Sequence, residues 1–240
     1  MQLVILAAGR GSRLGGDQAN QPKSLVSVGS VPYLKRQLES FRRFSFSKKI
    51  LVGGYGIAFL RDFLVENNFT DITLIDNTDF LKGNLYSLAT ARSELTEDFF
   101  VFNADHFYSP ETYQSILTTR SDNITIFCDK DRSLTDDDMK VRLAKPSGHL
   151  AAMSKTLSAF EAGYVGVTYV PKLAYQRYWD AFDATAAKLG DKANVENVLD
   201  GLAAEGGEIS VCDISGSWWT EIDTPEDLGK ARQIILSRLS

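Results

Sequence analysis

The chain alternates short apolar runs with segments in which apolar residues recur every three or four positions. In the first half, the apolar runs have the length of buried strands: Leu3–Leu6, Lys49–Val52, Ile72–Ile75, Phe99–Phe102 and Ile124–Cys128. The segments between them have the spacing of amphipathic helices: Tyr33–Phe44, Ile57–Glu66, Leu85–Leu95 and Pro110–Thr118. This alternation of strands and helices predicts a mostly parallel sheet with helices on both faces.

The second half is less regular. Its strand-like segments are Met139–Leu143 and Leu150–Ser154, which read as a hairpin, then Gly163–Val170 and Ile209–Cys212. Its helical segments are Leu173–Phe182, Val195–Ala204 and a last helix capped by Thr224, with Leu228, Ala231, Ile235 and Leu239 on its buried face. The whole pattern predicts one α/β domain over residues 1–240. We expect a Rossmann-like three-layer α/β/α sandwich around a mostly parallel mixed sheet.

The composition and net charge argue against nucleic acid and membranes as partners. The 26 Lys and Arg residues against 31 Asp and Glu give a net charge of −5, which provides no basic patch for nucleic acid and little attraction to an anionic membrane. The first residues do not resemble a signal peptide, and no segment has the length of a membrane span. Cys128 and Cys212 have no metal-type spacing, so we expect free, buried thiols and a cytoplasmic protein.

The most informative segment follows the first predicted strand. The run Leu3–Leu6 leads into Ala7-Ala8-Gly9-Arg10-Gly11-Ser12-Arg13-Leu14, and Pro22-Lys23-Ser24-Leu25 comes shortly afterwards. Small residues and glycines let a ligand approach the main chain closely and meet its N–H groups. Arg13 and Lys23 add two positive charges, so the segment predicts a site for a polyphosphate. It matches neither a P-loop nor the dinucleotide fingerprint, and the glycine-rich stretch 15–21 lies within the same loop.

Three segments together resemble a known family. Residues 6–14 with 22–25 are similar to the N-terminal signature of nucleotidyltransferases that join a nucleoside triphosphate to a phosphorylated sugar or alcohol. Residues 101–106 resemble the strand whose final aspartate, here Asp105, binds the metal ion. Residues 219–227 resemble the turn that carries the second such aspartate, Asp223. The resemblance implies an Mg²⁺ ion held by these two aspartates, and Arg13 and Lys23 as catalytic residues on the β- and γ-phosphates.

The resemblance also implies a division of the remaining site residues. The nucleotide is expected to contact the first turn and the start of a later helix: Leu6, Ala7, Ala8, Gly9, Gly11, Ser12, Arg13, Lys23, Asn84 and Ser87. For Asn84 a plain helix cap is an equal alternative, and for Ser87 a structural role is slightly favoured. The acceptor is expected to contact Lys155, Lys140, Trp219 and Glu221. Residues 1–130 would thus mainly bind the nucleotide and residues 131–240 mainly the acceptor.

Within this family, the chain most resembles cytidylyltransferases that act on phosphocholine or inositol-1-phosphate. The resemblance implies an enzyme that transfers CMP from CTP to such a phosphorylated alcohol, or to a phosphonate, and releases pyrophosphate. A choline acceptor would favour an aromatic cage, for which the candidates are Tyr164, Tyr169, Trp179, Trp218 and Trp219. The alternatives are a sugar-1-phosphate uridylyl- or thymidylyltransferase and a non-catalytic nucleotide-binding regulatory module. His106 and His149 are expected to be structural, and a homodimer is left open.

Overall fold

A computed structural model describes residues 1–14 and 21–238 of the chain. Residues 15–20, which form most of the glycine-rich loop segment, lie outside the described residues, as do residues 239–240 with the predicted buried Leu239. Among the described residues, no helix is both long enough and apolar enough to cross a membrane.

The strands and helices follow one another much as the hydrophobic pattern predicts. The strands are β1 (Gln2–Leu6), β2 (Ser27–Val28), β3 (Val31–Pro32), β4 (Lys48–Gly53), β5 (Ile72–Asp76), β6 (Phe99–Asn103), β7 (His106–Tyr108), β8 (Thr125–Asp129), β9 (Lys140–Leu143), β10 (Leu150–Ser154), β11 (Ala162–Val170), β12 (Ser210–Asp213) and β13 (Trp219–Glu221). The α-helices are α1 (Tyr33–Phe41), α2 (Ile57–Glu66), α3 (Asn84–Ala91), α4 (Pro110–Thr118), α5 (Tyr175–Leu189), α6 (Val195–Ala204) and α7 (Pro225–Arg238).

The main sheet is mixed, with a parallel centre. Its order is β10-β9-β11-β6-β1-β4-β5, and β8 extends it by pairing with both β11 and β12. Strands β6, β1, β4 and β5 are parallel, whereas β11 runs antiparallel to β6, β8 and β9. A separate antiparallel pair, β7 with β13, places His106 opposite Glu221. The carboxyl ends of β1 and β6 therefore lie side by side, where ligands of such sheets bind.

Helices cover both faces of the sheet, which confirms the three-layer fold. Alternate side chains of β1 enter two different cores: Leu3 and Ile5 pack on one face, while Val4 and Leu6 pack on the other. The strand is buried along its whole length. Burial on both faces explains why its sequence is continuously apolar and does not alternate with polar residues.

The differences from the predicted elements have local causes. Helix α5 extends to Leu189, seven residues beyond its predicted end, because strong helix formers such as Ala184 and Ala186 continue it. It ends at Gly190, whose φ of 55° a residue with a side chain rarely adopts. Helix α1 ends earlier than predicted, at Phe41. Strand β7 was not predicted because three residues are too few to show a periodicity.

Candidate functional site

The turn after β1 is held between its two neighbouring strands. The Ala7 N–H donates to the carbonyl of Val52 at 2.8 Å, and the Ala104 N–H donates to the carbonyl of Leu6 at 3.0 Å. The backbone N–H groups of residues 9–13, in contrast, donate to no other described residue. The turn is thus fixed at its base by both neighbouring strands, and its N–H groups belong to the small and glycine residues that let an anionic ligand approach a main chain.

Gly11 lets the turn and Lys23 approach each other. Its φ is 66°, in the left-handed region that favours glycine. A Cβ atom on Gly11 would lie 2.9 Å from the Cβ and 3.2 Å from the Cγ of Lys23. The Lys23 N–H also donates to the carbonyl of Gly9 at 3.3 Å. The two glycines therefore fix where the lysine side chain begins.

The structure brings together the four residues predicted to be catalytic. The Lys23 ammonium lies 2.6 Å from Asp105 Oδ2 and also contacts Asp223 Oδ1. Arg13 Nη2 lies 2.9 Å from Asp223 Oδ2. Asp105 follows β6 and Asp223 follows β13, and the Ile222 N–H joins these segments by donating to the Asp105 carbonyl at 3.0 Å. Residues from distant parts of the chain thus form one cluster of two cations and two carboxylates.

The charges of this cluster hold Lys23 and Asp105 in their ionised forms. Burial alone would lower the pKa of Lys23, but the carboxylates of Asp105 and Asp223 outweigh it and raise that pKa. Burial likewise opposes ionisation of Asp105, yet Lys23 and His106 hold the pKa of this carboxyl well below its usual range. Asp105 therefore presents its carboxylate oxygens in the charged form that a divalent cation requires.

His106 belongs to the site, although the sequence favoured a structural role for it. Its Nδ1 lies 2.7 Å from Asp105 Oδ1, and its Nε2 lies 3.8 Å from Glu221 Oε2. Burial raises the pKa of Glu221, although the neighbouring His106 partly opposes this rise. Gly166, with φ of 77°, makes room, since a Cβ there would lie 2.9 Å from Nε2. The adjacency of His106 to Asp105 at a strand end was the available signal.

Lys155 reaches the cluster through a carboxylate that the sequence did not suggest. Asp137 Oδ1 lies 3.1 Å from the Lys155 ammonium, and Asp137 Oδ2 lies 2.5 Å from Arg13 Nη1. The three side chains are about half exposed. Asp137 thus joins a cation predicted to bind the nucleotide to one predicted to bind the acceptor.

Three other predicted binding residues have partners within the protein. The buried Lys140 ammonium donates to the carbonyls of Thr135 and Lys155, each at 2.8 Å. Asn84 Oδ1 accepts the Val195 N–H at 2.8 Å, at the start of α6. The buried Ser87 hydroxyl accepts a hydrogen bond from the Asn77 amide at 3.0 Å. These contacts support the local structure, and the substrate roles stay predictions.

Trp219 lies beside a cavity of about 360 Å³ that adjoins the carboxylate cluster. Both Glu221 and Asp223 line this cavity, as does Trp218. The other aromatic candidates for a cage lie elsewhere: Tyr164, Tyr169 and Trp179 are buried in the cores on the two faces of the sheet. Among the described residues, the predicted five aromatic side chains therefore do not form one cage.

Comparison with known proteins confirms the predicted family. Residues 3–204 match the family model described as the MobA-like NTP transferase domain. The chain is 26% identical over 235 residues to the bifunctional IPC transferase and DIPP synthase of Rubrobacter xylanophilus, covering 97% of this chain and 51% of that protein. It is 25% identical over 247 residues to the choline-phosphate cytidylyltransferase of Streptococcus pneumoniae, covering 98% of each.

The fold is shared with solved structures. The inositol-1-phosphate CTP transferase of T. maritima superimposes with a TM-score of 0.82 at 20% identity, covering 98% of this chain and 94% of that one. The chain spans about half the length of the curated bifunctional relatives that it matches. The family model, in contrast, covers most of the chain. On the strength of that match, the chain belongs to the family of MobA-like NTP transferase domains.

Proposed function

We propose that this chain is an Mg²⁺-dependent cytidylyltransferase, which transfers CMP from CTP to a phosphorylated alcohol and forms a CDP-alcohol and pyrophosphate. The observation that carries the proposal is the convergence of Arg13, Lys23, Asp105 and Asp223 beyond the ends of β1, β6 and β13. The choice of CTP is supported by relatives whose names describe cytidylyltransferases. Inositol-1-phosphate and phosphocholine are the acceptors that such names suggest.

The reaction joins two anions. A phosphate oxygen of the acceptor attacks the α-phosphorus of CTP, the new P–O bond forms, and the bond to the pyrophosphate oxygen breaks. The acceptor needs no strong base, since the second pKa of a phosphate monoester is about 6. Catalysis therefore consists mainly of neutralising charge and holding the reactants in line. Arg13 and Lys23 bind the β- and γ-phosphates and stabilise the departing pyrophosphate.

Asp105 and Asp223 are the residues that would hold Mg²⁺. Their fit to this ion follows from two observations: both supply carboxylate oxygens, and both already contact one cation, the Lys23 ammonium. Magnesium binds through one or two carboxylates together with phosphate oxygens and water. When bound, the ion would neutralise negative charge that develops on the reacting phosphates. His106 orients the Asp105 carboxylate through its 2.7 Å contact.

The test is pyrophosphate release measured with CTP, UTP, dTTP, ATP and GTP, each with Mg²⁺ and a panel of phosphorylated alcohols and sugars. We expect turnover with CTP and a phosphorylated alcohol. Turnover with UTP or dTTP and a sugar-1-phosphate would instead indicate an NDP-sugar synthase. Tight nucleotide binding without pyrophosphate release would indicate a regulatory module. Asp105→Ala should abolish turnover, while Asp122→Ala, which removes an exposed carboxylate, serves as the matched control.

A further inference from the structure

The cavity beside the carboxylate cluster is the space in which the alcohol part of an acceptor would lie. It has a volume of about 360 Å³ and is open to the Asp223 side of the cluster. Its wall includes Trp219, the hydroxyl side chains of Ser133 and Ser217, and Arg132. A phosphorylated alcohol whose phosphate lies at the cluster would place its alcohol part in this cavity. The wall of the cavity therefore decides which alcohols are accepted.

The Trp219 ring is buried and already packs against a cation and a second ring. The Arg132 guanidinium carbon lies 4.0 Å from the centroid of the Trp219 ring. The His106 ring also stacks with Trp219, with 5.6 Å between the ring centroids and 6° between the planes. The indole N–H donates to Asp129 Oδ2 at 2.8 Å, which fixes the ring. A quaternary ammonium is recognised by an exposed aromatic face, and here the protein's own cation occupies that place.

The carboxylates of the cavity wall do not replace the covered Trp219 ring as a binding site for a quaternary ammonium. Asp129 accepts from Trp219 and from the Asp131 N–H. Asp138 accepts from the N–H and hydroxyl of Thr135 and lies 3.5 Å from Arg132. Asp227 accepts from the N–H and hydroxyl of Thr224. The three other carboxylates of the wall also have partners: Asp137 pairs with Arg13 and Lys155, Asp223 pairs with Arg13 and Lys23, and Glu221 lies 3.8 Å from His106 Nε2. Every carboxylate of the wall thus has a partner within the protein, while the Arg132 guanidinium covers the Trp219 ring.

We propose that Arg132, held on Trp219, is a specificity-determining residue that excludes acceptors with a quaternary ammonium and leaves the cavity to uncharged, hydroxylated alcohols. The proposal rests on the proposed function, because it assigns the cavity to the acceptor of nucleotidyl transfer. The guanidinium N–H groups and the hydroxyls of Ser133 and Ser217 are suited to hydrogen-bond such an alcohol.

The experiment compares inositol-1-phosphate with phosphocholine, which differ in the charge of the alcohol part. For the wild type, Arg132→Ala and Arg132→Gln, kcat/KM for each acceptor is measured with CTP and Mg²⁺, and the affinity for each acceptor is measured by calorimetry. Arg142→Ala, which removes an exposed arginine on β9, is the matched control. We expect the wild type to prefer inositol-1-phosphate and the two Arg132 variants to reduce this preference by about tenfold, chiefly through gained use of phosphocholine.

The outcomes separate the two proposals. A wild type that uses both acceptors equally, or Arg132 variants with an unchanged preference, would overturn the role of Arg132. Absence of pyrophosphate release with every acceptor would overturn the proposed function. In that case the calorimetric preference still decides the role of Arg132, since it requires no turnover. A loss of binding to both acceptors in Arg132→Ala, with the folded state intact by melting temperature, would also contradict the selective role.

Discussion

The substitution Gly11→Ala tests whether the first turn positions Lys23. Two costs follow from the structure. A φ of 66° is unfavourable for alanine by about 1–2 kcal/mol. The added Cβ would lie 2.9 Å from the Lys23 Cβ, an atom close to the backbone that cannot swing away, and such overpacking costs about 1–3 kcal/mol. Together they predict a loss of about 2–5 kcal/mol, or a fall in melting temperature of at least about 4 °C.

Substitutions at two further glycines distinguish the cost of the backbone conformation from the cost of overpacking. Gly148 has a φ of 73° but no atom within 4 Å of its added Cβ, so Gly148→Ala incurs the conformational cost alone. Gly9 has neither a positive φ nor a close neighbour, and Gly9→Ala should leave the melting temperature nearly unchanged. Thermal melting of the three variants gives the ranking, and pyrophosphate release reports whether Lys23 still acts. Equal melting temperatures for Gly11→Ala and Gly148→Ala, together with full activity of Gly11→Ala, would refute the reasoning.

Two other predictions concern charged side chains. Burial raises the pKa of Glu196, so its protonated form favours the folded state, and the wild type loses stability as pH rises through that pKa. Near pH 7, Glu196→Gln should therefore have a higher melting temperature than the wild type. Below about pH 4, where the carboxyl is protonated in the unfolded state as well, this difference should disappear. Equal melting temperatures at both pH values would contradict this prediction. Asp137→Ala releases Arg13 and Lys155. Exposed ion pairs contribute about 0–1 kcal/mol, and this free energy no longer has to be given up when the two cations bind an anion. Calorimetry should therefore show that the variant binds pyrophosphate up to about fivefold more tightly than the wild type. Weaker binding would contradict the role of Asp137.

The sequence predicted the parts of the site that follow from strand order. The ends of β1 and β6 are adjacent in a parallel sheet, so the turn carrying Gly11 and the segment carrying Asp105 had to lie together. The motif after β13 then indicated Asp223. These expectations required only periodicity, the position of strand ends and the spacing of a known signature.

The remaining parts depend on contacts between irregular segments. Asp137 and Arg132 lie in the loop between β8 and β9, where no periodicity indicates direction. Their partners Lys155 and Trp219 are distant in the chain, so only the folded structure shows the pairing. His106 was assigned a structural role because the two histidines of the chain have no metal-ligand spacing. The sequence therefore predicted the cluster of Arg13, Lys23, Asp105 and Asp223 more fully than the cavity beside it.

The central claim is that the chain transfers a nucleotidyl group, and the position of a radioactive label tests it most directly. The protein is incubated with Mg²⁺, a phosphorylated alcohol and CTP labelled at the α-phosphate or, separately, at the γ-phosphate. We expect the α-label to appear in the CDP-alcohol and the γ-label to appear in pyrophosphate, with neither transfer in Asp223→Ala. Transfer of the γ-label to the alcohol, or release of the α-label only as free CMP, would contradict it.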